Sequence, residues 1–149
     1  MIELWIAGRK SGGIEILLLK RGPDETYPGI WQMVSGRVNE GEKAFEGALR
    51  EMEEETGLTP MNFWVVPNIN SFYYPQEDAV HFLPVFLAEV DNNAKVQLSD
   101  EHVDFRWVPP DEAMKMVAWE GQRRSIGIIN EYLSERESLL NFVKIEKNN

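Results

Sequence analysis

Three glutamates, Glu51, Glu54 and Glu55, stand at i, i+3 and i+4 in a stretch whose apolar residues recur with a helical period. At about 100° per residue these positions share an arc of roughly 100°, so the carboxylates converge on one side of a helix. Like charges so placed repel by roughly a few tenths of a kcal/mol per pair. A hard divalent cation reverses that cost, because Mg²⁺ and Mn²⁺ prefer carboxylate, carbonyl and water oxygens. Arg50 lies four positions before Glu54, the spacing of a supporting ion pair on the same helix. Taken alone, a glutamate cluster more often just solvates a helix face.

The charge balance points the same way. Net charge is −10, from 25 acidic and 15 basic residues. Such a surface repels a bare polyphosphate or a nucleic-acid backbone, so an anionic substrate needs a cation between it and the protein. No basic stripe exists to bind nucleic acid. Cysteine is absent, which excludes thiolate nucleophiles and zinc–thiolate sites. The start, Met1-Ile2-Glu3-Leu4-Trp5, has no basic region before an apolar one, and no apolar run is long enough to span a bilayer. A soluble, cytoplasmic, single-domain protein over 1–149 is the expectation, with no membrane partner.

Several elements must position the acids. The patterns predict strands at 2–7 and 14–20, joined by a Gly/Ser-rich turn over 9–13. A loop with two prolines and two glycines spans 22–29, and a short strand covers 31–35. The helix is predicted over 43–56, with Phe45, Ala48, Leu49 and Met52 as its apolar stripe and Gly57 as a left-handed stop. The glutamate arc is expected to turn away from that stripe, with Ala44 and Gly47 leaving room above it. Further strands are expected at 63–68, 79–90 and 105–108, and helices at 111–118 and 121–140. Pro84 suggests an edge or a bulge in its strand. Lys144 to Asn149 is expected to fray. Strands and helices in this order imply an α/β fold, a mixed sheet covered by helices on both faces.

Written out, Gly36–x5–Glu42–x7–Arg50-Glu51-Met52-x-Glu54-Glu55-x-Gly57-Leu58 carries every element of the Nudix box, without departure over 36–58. The chain therefore resembles the Nudix hydrolases. Trp31 to Gly36 resembles the approach to the box in members acting on nucleoside triphosphates and dinucleoside polyphosphates. Glu101-His102 with Phe105-Arg106-Trp107-Val108 resembles a segment common in the same groups.

The resemblance implies an α/β/α sandwich with the box as a loop–helix–loop, and one or more Mg²⁺ or Mn²⁺ ions. By position Glu51, Glu54 and Glu55 would ligate metal, and Glu42 would do so directly or through water. Arg50 would orient the carboxylates, and the carbonyl of Ser35 or Gly36 would complete the coordination. Hydrolysis also needs a carboxylate to accept a proton from water. Glu54 is the leading candidate inside the box and Glu101 outside it, although a solvated turn is the alternative role for Glu101.

Substrate contacts are assigned more loosely. Lys20 and Arg21 end a strand before the box and suit phosphate oxygens, or simply solvate the strand end. Trp31 and the set Phe72, Tyr73, Tyr74 offer rings for stacking, though core packing is the commoner use. Gln32 and Ser35 enter by resemblance alone. His81 and His102 lack metal-ligand spacing. Tyr74 weakly marks dinucleoside polyphosphate hydrolases and the adjacent Pro75 weakly marks ADP-ribose hydrolases, so the two cues conflict. The segment pattern is most similar to nucleoside or pterin triphosphate pyrophosphohydrolases, which release a monophosphate and pyrophosphate from a small-molecule nucleotide. Hydrolysis of dinucleoside polyphosphates or ADP-ribose is the second reading. A noncatalytic nucleotide-sensing module is the third, disfavoured because every box carboxylate is present. A homodimer is expected from the resemblance.

Overall fold

A computed structural model describes residues 1–146; positions 147–149 of the expected frayed tail lie outside the described residues. The elements are β1 (Ile2–Lys10), β2 (Gly13–Arg21), β3 (Trp31–Gln32), β4 (Val34–Gly36), α1 (Ala44–Thr56), β5 (Asn62–Tyr74), β6 (Ala79–Glu89), β7 (His102–Val108), α2 (Pro110–Met116) and α3 (Glu120–Glu135). A 3-10 helix, Glu137–Phe142, follows.

One sheet organises everything. β1 pairs in parallel with β6, and the other pairings are antiparallel. On its second edge β1 is shared: Ala7–Lys10 pair with β2, while Ile2–Leu4 pair with β4. β2 is shared likewise, between β1 at Gly13–Ile16 and β3 at Leu19–Lys20. The two long strands thus splay apart, and the segment Trp31–Gly36 fills the fork. The single strand expected over 31–35 is broken at Met33, where the chain crosses from one prong to the other. Filling the fork places Gly36 opposite Ile2, at the open end of the sheet.

Alternation along the strands builds two cores. Ile2, Leu4, Ile6, Leu17 and Leu19 face α1, where they meet Ala48 and Met52. Trp5, Ala7, Ile16 and Leu18 face α2 and α3, where they meet Ala113, Ile126, Ile129 and Leu133. The result is the expected α/β/α sandwich with a mixed sheet.

Boundaries differ from expectation for identifiable reasons. The first turn is only Ser11-Gly12, both at positive φ (48° and 81°) as a two-residue hairpin requires, so both strands run longer than predicted. β5 continues to Tyr74 because its far half pairs with β6 beyond the end of β1, forming a two-stranded arm with little apolar periodicity. Pro84 sits where the β5–β6 register shifts and one residue before pairing with β1 begins, as its missing N–H demands. β7 starts at His102 rather than 105. The helix expected to reach 140 stops at Glu135, because its stripe of Ile126, Ile129 and Leu133 would continue onto Arg136 and Glu137. The chain folds back instead and buries Leu140. Nor do residues 144 and 145 fray: Ile145 N–H donates to the Phe63 carbonyl at 2.8 Å, and Lys144 bridges to Trp64.

Candidate active site

The box helix is fixed at both ends. Glu46 accepts a hydrogen bond from Lys43 N–H at 2.8 Å, capping the first turn. Gly57, at φ 72°, returns its N–H to the Glu53 carbonyl as the left-handed stop requires. Beyond it, residues 97–101 dock on the helix end: Gln97 N–H donates to the Thr56 carbonyl at 2.8 Å, and Ser99 N–H to that of Glu55 at 3.4 Å. Gly22 N–H holds the Glu101 carbonyl at 3.0 Å. These backbone hydrogen bonds, with Val96 and Leu98 packed against the box-side core, carry Glu101 and His102 to the box.

Arg50 is the hub of the acids. Its Nε and Nη2 donate to the two oxygens of Glu42 at 2.9 and 3.1 Å. Its Nη1 donates to Glu51 at 2.9 Å and to Glu54 at 3.2 Å, and Nη2 also reaches the Arg37 carbonyl at 2.9 Å. The Arg50–Glu54 pair expected from spacing is present. The Arg50 guanidinium and the Asn39 N–H hold the Glu42 carboxyl below its ordinary range, and those acids hold Arg50 protonated still more firmly.

The acidic arc is graded. Glu54 is 57% exposed at its side chain, Glu51 15%, and Glu55 is buried at 2%. This corrects the expectation that the whole arc turns away from the apolar face. Met52 and Glu55 are three apart and therefore neighbours on the helix surface, so burying Met52 against the sheet draws Glu55 in with it. Phe45 and Leu49, by contrast, are only partly buried. Glu51 lies directly on Gly36, where any Cβ would overlap its carboxylate. Gly47 similarly leaves a Cβ position only 3.0 Å from Glu42 Oε1.

Behind Glu51, Glu55 has its carboxyl pushed up to about 10, first by burial and then by the neighbouring Glu51 and Glu101. His102 is buried beside it, Nδ1 lying 3.7 Å from Glu55 Oε1, and burial pulls its imidazole down to about 4. Glu101 is also raised, by partial desolvation and by Glu25 and Glu51. One ligand atom each from Glu55, Glu101 and His102 lies within 4.8 Å of the others.

Four buried side-chain atoms among the described residues lack a hydrogen-bond partner: Glu55 Oε2, both ring nitrogens of His102, and Gln32 Nε2. Gln32 pairs with Leu19, whose side chain faces α1, so all four lie on the box side of the sheet. Buried polar groups are seldom left unpaired, because each unmade hydrogen bond costs about 1–3 kcal/mol. A graded carboxylate arc with unpaired acceptors at its buried end fits a divalent cation and its waters.

The remaining assigned residues divide between the two faces. Arg21 lies on the box side, donating to the Thr26 carbonyl and 3.8 Å from Glu25. Lys20 and Trp31 pair with each other, one residue out of phase with Gln32, and share the α3 side; Lys20 Nζ lies 6.0 Å from the Trp31 ring centre. Ser35 pairs with Glu3 and turns to that same side. Lys20 and Arg21 thus do not form one phosphate clamp. Tyr74 lies near the tip of the arm, and its ring neighbours are Phe72 and His81. Sequence reasoning missed the burial of His102 against the box; its adjacency to Glu101 was the available signal. It also missed an exposed edge-to-face pair, Tyr27 and Trp119, with ring centres 5.5 Å apart. Nothing in the spacing announces that pair.

Comparison with known proteins agrees with this geometry. A model of the NUDIX domain matches residues 5–127. The bis(5'-nucleosyl)-tetraphosphatase (asymmetrical) of Caenorhabditis elegans is 30% identical over 115 residues, covering 76% of this chain and 80% of that protein. Nucleoside triphosphatase NudI of Salmonella paratyphi B is 28% identical over 93 residues, covering 58% and 66%. The crystal structure of a C. elegans Ap4A hydrolase binary complex superposes with a TM-score of 0.73 at 25% identity, covering 89% of this chain and 97% of that one. An octanoyltransferase of Myxococcus xanthus is 34% identical over 130 residues, 81% of this chain, which spans only 34% of that protein's length. With the domain matched across the fork, the box helix and the docking loop together, this chain belongs to the NUDIX family of hydrolases.

Proposed function

We propose that the chain hydrolyses a pyrophosphate bond in a nucleoside or pterin triphosphate, giving a monophosphate and pyrophosphate. The observation that carries the reaction class is the graded acidic arc gathered by Arg50 and ending in the unpaired atoms of Glu55 and His102. Glu51, Glu54 and Glu55 would hold Mg²⁺ or Mn²⁺, with Glu42 and the Gly36 carbonyl beside them. The cation would neutralise charge on the phosphate oxygens and ease deprotonation of water.

What the chain itself contributes follows from its geometry. Arg50 keeps Glu42, Glu51 and Glu54 oriented despite their mutual repulsion. The glycine at 36 lets Glu51 lie against the fork. Arg21 adds positive charge among the acids on the box side, suited to a phosphate oxygen. Trp31, Lys20 and Ser35 lie across the fork, where a base or pterin ring would stack while its polyphosphate reaches the box; Gln32, on the box side, lies nearer the phosphates. The proton from the attacking water goes to Glu54, which is exposed and shares only one oxygen with Arg50, or to Glu101, whose carboxyl is raised by partial burial and by Glu25 and Glu51. Tyr74, on the arm, would meet only the distal part of a longer substrate.

The second reading is hydrolysis of dinucleoside polyphosphates or ADP-ribose, and the 30% identity to the C. elegans tetraphosphatase favours the former of these. The location we assign is the cytoplasm; no described helix is long and apolar enough to cross a membrane. A homodimer remains our expectation, measurable by sedimentation.

The test is a panel of nucleoside triphosphates, dihydroneopterin triphosphate, dinucleoside polyphosphates and ADP-ribose with Mg²⁺, products being resolved by ion exchange. Monophosphate plus pyrophosphate from a triphosphate, reduced at least ~10-fold by Glu54→Gln, supports the proposal. Cleavage of dinucleoside polyphosphates or ADP-ribose alone moves the assignment to the second reading. Nucleotide binding without cleavage of any of these compounds refutes the hydrolysis of them.

A further inference from the structure

In the metal site just proposed every assigned donor is an oxygen. Yet the deepest group beside Glu55 is an imidazole. His102 is 5% exposed, its side chain 1%, and neither ring nitrogen has a partner. A structural histidine at that depth ordinarily donates one N–H to a carbonyl or carboxylate and accepts at the other nitrogen. Here the nearest carboxylate oxygen, on Glu55, stands 3.7 Å away, beyond hydrogen-bond range, and the second Glu55 oxygen is unpaired as well. Bonds of about 2.1 Å to a shared cation leave neighbouring ligand atoms about 3.0–3.5 Å apart. The 3.7 Å gap is therefore close to what a cation between them needs, and too long for the two to satisfy each other directly.

We propose that His102 is a nitrogen ligand of the metal site, sharing its ion with Glu55, with Glu101 at the entrance as the third group within reach. This rests on the reading that the box carboxylates bind a divalent metal. It goes beyond it by predicting selectivity. Imidazole nitrogen suits Ni²⁺ and Zn²⁺ better than the oxygen-preferring Mg²⁺ and Mn²⁺, so this chain should favour such an ion where an all-oxygen site would not. Nδ1, the nitrogen nearer Glu55, has no competing partner. The backbone of 97–101, hydrogen-bonded to the end of α1, keeps His102 in place before any ion arrives.

The chain has just two histidines, and His81 lies on the arm, paired with Glu77 at 2.9 Å. That makes the assignment spectroscopically clean. Mn²⁺ is added to the protein and examined by pulsed electron paramagnetic resonance. A directly bound nitrogen should give ¹⁴N modulation in the wild type. It should change to the ¹⁵N pattern when the protein is grown on ¹⁵N-histidine, a comparison that needs no variant to fold. His102→Gln should abolish it and weaken Zn²⁺ binding at least ~10-fold, with Mg²⁺ binding changed less than ~3-fold. His81→Gln should leave it intact. Mn²⁺ bound in a manner lost with Glu51→Gln, but without nitrogen modulation, overturns the ligand assignment and leaves the oxygen site standing. No Mn²⁺ binding that depends on Glu51 sinks both.

Discussion

Among the described residues two carboxylates are buried, on opposite faces of the sheet, and they are treated oppositely. Glu3, on the α3 side, is 2% exposed and receives hydrogen bonds from Asn70, Trp5 and Ser125. Glu55, on the α1 side, is equally buried, but one of its oxygens has no partner and the repulsion of Glu51 and Glu101 outweighs the attraction of Arg21. Burial raises both carboxyls above their ordinary value of 4.5. Three donors oppose the rise at Glu3, whereas Glu51 and Glu101 add to it at Glu55. A buried acid with its own donors is part of the scaffold. One surrounded by acids is stable only neutral or beside a cation, which is the expected condition of a metal ligand in its metal-free form.

The largest effect that tests this contrast is Glu55→Gln. Turnover in Mg²⁺ should fall at least ~100-fold, since one charged ligand is lost from a small set. In the metal-free protein the same change should stabilise. The folded pKa of Glu55 lies above its unfolded value, so its contribution is complete below about 4.5 and is lost as pH rises toward about 10. A neutral amide at this position removes that penalty, and thermal unfolding at pH 8 in chelator should shift up by several degrees, roughly 1–3 kcal/mol. Added Mn²⁺ should stabilise the wild type and not the variant. A variant less stable than wild type at pH 8 without metal would erase the distinction between the two acids.

How far the site was legible depends on which forces set each residue. Arg50, Glu51 and Glu54 were readable because helical spacing fixes their mutual positions. Gly57 was readable because a left-handed stop needs glycine. The depth of Glu55 was not, since it depends on which side of Met52 the sheet lies. His102 was hidden for a similar reason: its partner is 47 positions away in sequence, brought in by a loop whose docking hydrogen bonds to the end of α1 are made by backbone groups. The two-sided sheet with helical cover followed from the order of strands and helices, but the fork did not. Only the paired registers show that β1 and β2 part company and that Met33 is the crossing point.

A pair of glycines sharpens the comparison at intermediate scale. Gly36 lies under Glu51 in the site, and Gly121 lies under Asn70, the donor to Glu3; at either position a Cβ would overlap that side chain. Gly36→Ala should displace a ligand and lower turnover about 10- to 100-fold, with metal affinity weakened in parallel. Gly121→Ala should instead lower stability by about 1–3 kcal/mol through the disturbed hydrogen bonds. Turnover per folded molecule should stay within ~3-fold. Denaturant melts and steady-state rates on both variants measure the contrast directly, and equal losses of turnover would show that the two faces are functionally coupled.

Glu3→Gln should give the smallest effect. The folded pKa of Glu3 is raised, so like Glu55 it contributes most below its unfolded value of 4.5, and that contribution falls as pH rises. Glutamine is neutral throughout and should flatten this part of the pH profile. Three existing hydrogen bonds have already limited the penalty, and Ser125 offers an acceptor for the new amide. The change at pH 8 should therefore stay below about 1 kcal/mol, with turnover within ~2-fold of wild type. Unfolding midpoints between pH 5 and 8 would show it. If the slope for Glu3→Gln matched that for Glu55→Gln, donors would not be what separates the two acids, and burial alone would have to explain both.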